Sequence, residues 1–398
     1  MKVLVTGAKG FVGKNLCAQL MNIKTGQAKC YGDIVISEVY EYDRDSDMED
    51  LVRYCSECDF VFNLAGVNRT DNQEDFMKGN FGFLSTLLDT LEQVGNDCPV
   101  MMSSSVQAAF SGRFGFNAYA VSKRTAEERL LEHRRKTGAE VLIYRFPNIF
   151  GKWCRPDYNS VVATFCHNIA LGLPIHVDDP NVELELLYID DLVDEMIAAL
   201  KGVSVSWQSP YRYCPLTYHT TVGELADTIQ FFSDLPKPHL PHLPASSLAA
   251  KLYATFLSYL PKERVTFKLD IRKDHRGSFA EFLKYIDCGQ VSVNVCKPGA
   301  VKGEHWHNSK WEWFLVVSGY GLVRQRRIDS DEVLDFAIEG DQMKVVQILP
   351  GYTHELINLS DHQDLVTLIY CNEPYDPNRP DTFYLPIDSI RENENRLQ

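Results

Sequence analysis

No apolar run in this 398-residue chain approaches the ~20 residues a membrane-spanning helix needs. An α-helical membrane protein is therefore excluded. Basic residues are in deficit, with 40 Lys and Arg against 54 Asp and Glu and a net charge of −14. A nucleic-acid binder needs a basic face to displace counterions, so nucleic acid is not an expected partner. Anionic small molecules stay open, because a glycine turn or a single Arg or Lys can bind phosphate on an acidic protein. Internal repeats and low-complexity runs are absent. A second CxxC is missing too: Cys55 and Cys58 stand alone, which excludes a zinc ribbon. The eleven cysteines are odd in number and scattered, and read as reduced cytosolic thiols, not a disulfide framework. No leader is visible either, since Met1-Lys2-Val3-Leu4-Val5-Thr6-Gly7 is already a strand entering a glycine turn. The expectation is a cytoplasmic protein that engages neither membrane nor nucleic acid.

What is present is an ordinary globular balance, 45% hydrophobic and 24% charged, at a length that favours two domains. The first part alternates strand and helix patterns. Strands are expected at Val3–Thr6, Ile34–Tyr42, Asp59–Ala65, Val100–Ser104 and Val141–Phe146. Helices are expected at Gly13–Met21 and through Glu127–Lys136. That alternation predicts an α/β, doubly wound parallel sheet. Around Leu235–Pro261 the pattern changes to four prolines followed by an apolar helical segment. Beyond it come short strands, Gln290–Cys296, Trp313–Val317, Gly321–Arg326, Lys344–Ile348 and Leu365–Tyr370, spaced as in an all-β barrel or jelly roll. The predicted organisation is a dinucleotide-binding domain over 1–240, a linker helix over 241–264 and a β domain over 265–398.

Gly7, Gly10 and Gly13 lie between the first strand and first helix, with Phe11 and Val12 opening that helix. Glycine permits the tight turn and the close approach of backbone N–H groups to a pyrophosphate, and the helix turns its positive end to that anion. The GxxGxxG spacing resembles the extended short-chain dehydrogenase/reductases, over the first 230 or so residues. GAKGFVG, Leu64-Ala65-Gly66, Asn80, Ser103-Ser104-Ser105, Tyr119-Ala-Val-Ser-Lys123, Arg145-Phe-Pro147-Asn148-Ile-Phe-Gly151 and Tyr188-Ile-Asp190-Asp191 carry the resemblance in order. It implies a Rossmann-type domain in which Tyr119 protonates a carbonyl oxygen as hydride arrives. Lys123, one helical turn on, is expected to lower the phenol's pKa. Ser105 is expected to hold the reacting oxygen, with Ser104 the alternative and a candidate substrate contact. Leu64, Ala65, Gly66, Asn80 and Pro147 are implied cofactor contacts. Val106-Gln107 and Glu183-Leu-Glu185 depart from the family pattern, which bears on sugar contacts and not on hydride chemistry. Asp43 and Arg44 stand together after the second strand. Asp43 suits the ribose of NAD; Arg44 suits the extra phosphate of NADPH, and NADPH is the expectation.

From Gly299 the chain reads GAVKGEHWHNSKWEWFLVVSG. This spacing, with Pro350-Gly351-Tyr-Thr-His354 farther on, resembles the cupin family. Residues i and i+2 of a strand share a face, so His305 and His307 both enter the barrel while Trp306 packs outside. With Glu312 and His354 they make a four-ligand set suited to Zn²⁺, and also to Fe, Mn or Ni. Asp274-His-Arg276-Gly-Ser-Phe-Ala-Glu281 and Gln290-Val-Ser-Val-Asn294 resemble nucleotide-sugar 3,5-epimerases. That resemblance implies Arg276 and Glu281 on the nucleotide side, His305 as proton-abstracting base, and Lys302 where the family has a catalytic Arg.

The pairing of the two halves resembles the CapF-type family of bifunctional capsular-polysaccharide enzymes, across essentially the whole chain. It implies two acts on one UDP-linked 4-keto amino sugar, toward UDP-N-acetyl-L-fucosamine. The barrel epimerises C3 while the ketone acidifies that C–H, and the reductase then reduces C4 to a UDP-N-acetyl-6-deoxy-L-talosamine. Asn148, Arg155 and Asn159 are candidate sugar-nucleotide contacts, and a homodimer is implied. Two other readings stand at this point: an NAD-retaining 4-epimerase or 4,6-dehydratase, and a non-catalytic sugar-nucleotide sensor.

Overall fold

The computed structural model describes residues 1–32, 34–111, 116–203, 206–208, 210–285 and 288–388. The chain divides into two compact units. One comprises Met1–Ser233 and Ala245–Pro261, the other Asp234–Pro244 and Lys262 onward.

In the first unit, Lys2–Thr6 is the central strand. Val3 and Val5 enter one apolar cluster with Leu16, Leu20, Met196 and Ile197. Leu4 enters another with Leu84, Leu88, Leu130 and Ile143. A strand apolar on both faces is the mark of a parallel sheet covered on both sides. Glu38–Tyr42, Lys2–Thr6, Phe60–Asn63, Val100–Ser105 and Val141–Phe146 run parallel in that order. The order reverses direction between the first strand and Phe60–Asn63, and ligands of such sheets bind in the crevice beyond that point. Three further strands, Asn148–Phe150, Glu183–Tyr188 and Tyr218–Thr221, form a small separate sheet.

The first helix runs Phe11–Lys24, two residues earlier and three later than its pattern suggested. The second strand starts at Glu38, not Ile34, and the third is only Phe60–Asn63. The charged helix starts at Ala118, well before Glu127, because Asn117 caps it by accepting from Ala120 N at 2.8 Å.

The second unit is all-β. Gly277–Tyr285, Gln290–Cys296, Leu365–Cys371, Glu312–Ser318 and Val345–Ile348 lie side by side in one antiparallel sheet. Val333–Glu339, Tyr320–Arg327, Tyr352–Asn358, Val301–Trp306 and Phe383–Tyr384 form another. Phe314, Val316, Val323, Ile338, Leu356 and Leu365 fill the core. This is the all-β domain the strand spacing predicted.

The structure redraws the expected linker. Residues 234–244 belong to the second unit, where His239–Leu240 pairs with Lys284–Tyr285. The helix Leu248–Leu257 belongs to the first unit. It buries Leu252 and Phe256, and Tyr253 meets Phe232 edge-on at 5.0 Å. Lys251 Nζ binds both Asp191 carboxylate oxygens at 2.6 Å and lies over the rings of Tyr188 and Tyr218. The prolines hide this, because proline marks where a helix cannot continue and not where the next one docks.

Cys55 and Cys58 close the Met48–Glu57 helix as buried thiols, and burial pushes Cys55 up to about 12. Among the described residues no cysteine forms a disulfide. Among the described residues no helix is long and apolar enough to cross a membrane. Replacing Lys251 by Ala leaves Asp191 half-buried without its cation. It should cost ~1–3 kcal/mol, and hydrogen exchange should show lost amide protection over 248–257 with the second unit's strands unchanged.

Candidate active site and metal cluster

A cleft of about 1550 Å³ opens over the carboxyl ends of the parallel strands. Gly7 sits at φ +67°, and a Cβ there would stand 2.7 Å from Ala65 N. A Cβ on Gly13 would stand 2.2 Å from the carbonyl oxygen of Gly7. These glycines let the turn fold onto itself. Gly10 caps the helix without any side-chain hydrogen bond, and its first turn carries no acid. The terminal N–H groups thus face the cleft uncompensated, a cradle that fits a dinucleotide pyrophosphate. Phe11, Val12, Leu64, Ala65, Gly66 and Pro147 also line the cleft.

Asp43 spends its carboxylate on the loop itself, accepting from Lys9 N and Arg44 N at 2.8 Å each. Lys9 pairs with Asp45. The Arg44 side chain lines the cleft, and its charge helps hold the Asp45 carboxyl below its ordinary value.

Mid-cleft, the strand Val100–Ser105 lies against the helix Ala118–Thr137. Ser105 Oγ accepts from Gln107 N at 3.2 Å and lies near enough to the Tyr119 phenol to favour its ionised form. Lys123 Nζ donates to Ser103 O at 3.0 Å. Ser104 Oγ instead donates to Glu127 at 2.5 Å, so of the two serines it is Ser105 that meets Tyr119. Ser104 lines the cleft, but its hydroxyl proton is committed to Glu127.

The expected lowering of the phenol is reversed. Burial pushes Tyr119 above 10, opposed only in part by Ser105. The ammonium stands 5.9 Å from the ring centre with a proton directed at Ser103. Burial brings Lys123 itself down to about 8, while Glu127 opposes that fall. A protonated phenol is the form a ketone reduction requires.

Asn80 is corrected too. It sits buried in a π turn, Met77–Gly82, behind the cleft wall. Its amide is saturated by Val67 N, Val67 O and Ser122 Oγ, so it tethers the Gly66–Val67 segment and is not a lining contact.

At the far end, Asn148, Arg155 and Asn159 all line the cleft. Sequence reasoning missed two neighbours. Arg69 donates to Tyr158 O at 2.6 Å, tying two cleft loops together. Trp153 is held at φ +69° and is 55% exposed. A positive φ at tryptophan is costly and leaves no trace in composition.

The second unit holds a cavity of about 460 Å³. His305, His307, Glu312 and His354 bring one ligand atom each to within 4.8 Å of one another. A bulge between Gly303 and His305, with Glu304 at φ +58°, ends the regular pairing and sets His305 opposite His354. Trp306 packs on Phe383. His307 Nε2 and both His354 ring nitrogens are buried with no hydrogen-bond partner. Orphaned buried nitrogens are costly unless something absent from the protein atoms satisfies them, so this donor set fits a divalent cation.

His307 Nδ1 is bound to Asp381 O, which turns Nε2 to the cluster. Burial acts to raise the Asp381 carboxyl, but N–H donors from Asn308, Ser309 and Lys310 overcome it and hold the group well below the carboxylate range. Burial, aided by His354, brings His305 down to about 4 and keeps it neutral. Burial likewise raises Glu312, yet the surrounding imidazoles hold it below its ordinary value.

Lys302 lines the cavity as expected, but its ammonium is tied to the strands beside it. Its three ammonium protons meet Ser278 O, Asn294 Oδ1 and Val295 O at 2.8–3.2 Å, which leaves none for proton transfer. Arg276 pairs with Asp274, and Glu281 with Lys284, at the cavity edge.

Fold and clefts together define a dinucleotide-dependent reductase domain followed by a β domain with a metal-type cluster. Residues 3–208 match the NAD dependent epimerase/dehydratase family, and residues 272–383 the polysaccharide biosynthesis C-terminal domain. A UDP-2-acetamido-2,6-beta-L-arabino-hexul-4-ose reductase of Pseudomonas aeruginosa is 38% identical over 96% of this chain and 98% of its own. The crystal structure of the capsular polysaccharide assembling protein CapF from Staphylococcus aureus is 41% identical. It superposes with a TM-score of 0.83 over 97% of this chain and 100% of that one. A UDP-glucuronic acid 4-epimerase from Bacillus cereus shares the first unit's fold at 17% identity, with a TM-score of 0.52 over 65% of this chain and 96% of its own. The chain belongs to the NAD dependent epimerase/dehydratase family, in its CapF-type branch, and is an NAD(P)-dependent oxidoreductase.

Replacing Gly13 by Ala should cost ~2 kcal/mol or more, since the clash is with backbone. A thermal melt and a dinucleotide titration should both register the loss.

Proposed function

We propose that the two units act in turn on one UDP-2-acetamido-2,6-dideoxy-4-hexulose. The second, a cupin, epimerises C3; the first then reduces the C4 ketone to UDP-2-acetamido-2,6-dideoxy-L-talose, a step toward UDP-N-acetyl-L-fucosamine and capsular polysaccharide. The observation that carries this reading is the half-buried Tyr119 set against Ser105 in a cleft with a glycine cradle at one end and Arg155 at the other. The substrate in the name of the Pseudomonas aeruginosa relative supports the sugar.

NADPH supplies the hydride when bound, and Arg44 in the cleft lining favours it over NADH through the extra phosphate. Ser105 would hold the C4 oxygen, and Tyr119 would give that oxygen a proton as hydride reaches C4. Lys123, charged below about pH 8, steadies the negative charge left on the phenolate. Asn148, Arg155 and Asn159 hold the sugar nucleotide, with the Arg155 guanidinium facing its phosphates.

His305, His307, Glu312 and His354 hold a divalent cation, Zn²⁺ by donor type, and such a cation would polarise a carbonyl or cross-link the strands. An imidazole that ligates has no lone pair left for proton abstraction, so His305 serves as ligand or as base, not both at once. Arg276 and Glu281 bind at the cavity edge. The free cysteines support a cytoplasmic setting. The outward residues of Gln290–Cys296 and Leu365–Cys371, Val291, Val293, Val366 and Leu368, are apolar and only half-buried, which supports a homodimer.

Incubation with that 4-keto sugar nucleotide and NADPH in deuterated water should consume one NADPH per product and place deuterium at C3. Tyr119→Phe should cut NADPH oxidation by ~10²-fold or more. Activity should fall on the alkaline side as Lys123 loses its proton near pH 8. Persistent turnover in Tyr119→Phe contradicts the reductase assignment, and a product without deuterium contradicts the epimerase. His305→Ala should abolish exchange at C3.

Elemental analysis should find one divalent ion per chain. Asp381→Ala, which frees the loop that aims His307, should weaken zinc binding ~10–100-fold. A metal-free protein that resists loading with zinc would overturn the cluster assignment.

A further inference from the structure

Glu127 has no place in the chemistry described so far, yet it is fully buried beneath the reaction centre. It follows Lys123 by one helical turn and Tyr119 by two, so the three share a face of the Ala118–Thr137 helix. One carboxylate oxygen accepts from Ser104 Oγ at 2.5 Å and Arg145 Nε at 2.8 Å. The other accepts from Arg145 Nη2 at 2.6 Å and Tyr211 OH at 3.4 Å. Arg124, on the same helix, stands 3.8 Å away.

Three successive serines therefore meet three successive turns of one helix. Ser105 meets Tyr119, the Ser103 carbonyl meets Lys123, and Ser104 meets Glu127. Only the last of these bonds joins the strand to a group with no reactive task. It is a charge-assisted bond, roughly twice as strong as a neutral one. Arg145, cross-strand neighbour of Ser104, holds the carboxylate bidentately.

We propose that Glu127 is a positioning residue for the reductase pair. It clamps the serine strand to the helix bearing Tyr119 and Lys123, and it sets a fixed negative charge one turn from the Lys123 ammonium. The clamp fixes the distance between Ser105 and Tyr119, which must grip one oxygen together. The charge keeps Lys123 protonated in a site whose burial works against it, and Glu127 is the group that opposes that burial. The other groups facing Lys123 are Tyr119 on its own helix, Ser103 on the strand, and Gly66 with Asn80 on the wall, and none carries a fixed charge.

This inference rests on the reading of Tyr119 and Lys123 as the reductase pair, but its first test does not. In ligand-free protein labelled with ¹⁵N-lysine, the Lys123 Nζ resonance is assigned by its loss in Lys123→Arg and followed with pH. Glu127→Gln should move its midpoint down by ~1 or more. Glu127→Asp, which keeps the charge, should leave it near the wild-type value. An unchanged midpoint in Glu127→Gln overturns the electrostatic role. Should that variant fail to fold because Arg145 is stranded, Glu127→Gln/Arg145→Gln strands no charge. It should titrate low as well, since Arg145 is not among the groups acting on Lys123.

The clamp is read separately. Ser104→Ala should slow NADPH oxidation with the UDP-linked 4-keto sugar ~10-fold, with the Lys123 midpoint and the KM for NADPH unchanged. A wild-type rate in Ser104→Ala overturns the clamp. Full turnover in Tyr119→Phe would instead overturn the reductase reading and leave the Lys123 titration standing.

Discussion

The front cleft depends on one registration, the helix Ala118–Thr137 lying along the strand Val100–Ser105. A helix repeats every 3.6 residues and a strand every two, so their side chains match only over a short stretch. Here the match spans three serines. Asn117 starts the helix at the right residue, and the strand ends where Ser105 begins to cap the next turn. A start displaced by one residue would rotate Tyr119 by about 100° about the helix axis and away from Ser105. The glycine turn supplies the other fixed point, because the helix Phe11–Lys24 can approach the sheet only where no Cβ intervenes.

The second unit solves a different problem. Three imidazoles and a carboxylate must converge in an apolar interior where each is costly to bury. A regular strand would not deliver His305 and His307 together with His354, since His307 lies beyond the end of Val301–Trp306. The bulge at Glu304 absorbs the mismatch. Asp381, 74 residues from His307, then fixes the ring through its backbone carbonyl while its carboxylate gathers three N–H groups of the intervening loop. Lys302 contributes by cross-linking strands, its charge screened by three oxygens. The cavity floor is thus held by polar bonds and its walls by apolar packing.

Much of this was legible in the sequence because the motifs are local. Gly7-x-x-Gly10-x-x-Gly13, Tyr119-x-x-x-Lys123 and His305-x-His307 each span only a few residues, so spacing carries most of what decides which groups share a face. Glu127 was also within reach, four residues beyond Lys123. It was overlooked because a glutamate in a charged helix reads as solvated. Asp381 and Arg69 had no local signal, since their partners are remote in sequence and their roles are to hold backbone. For Lys302 spacing reports position alone, whereas the fate of its three protons depends on carbonyls from two other strands. The lowering foreseen for Tyr119 is reversed because burial, which no short motif encodes, outweighs the Ser105 hydroxyl, and the Lys123 ammonium is turned to Ser103 O.

By itself the sequence determined the order of the two units, the glycine cradle, and the residue types available to each site, since these follow from periodicities of two and 3.6 and from glycine's freedom. Only the tertiary structure decided which serine meets Tyr119, which way burial moves the phenol and the ammonium, where Asn80 and Lys302 spend their hydrogen bonds, and to which unit the helix Leu248–Leu257 belongs. Those are contests between groups brought together from distant parts of the chain, and their outcome depends on distance and desolvation, which exist only once the chain has folded.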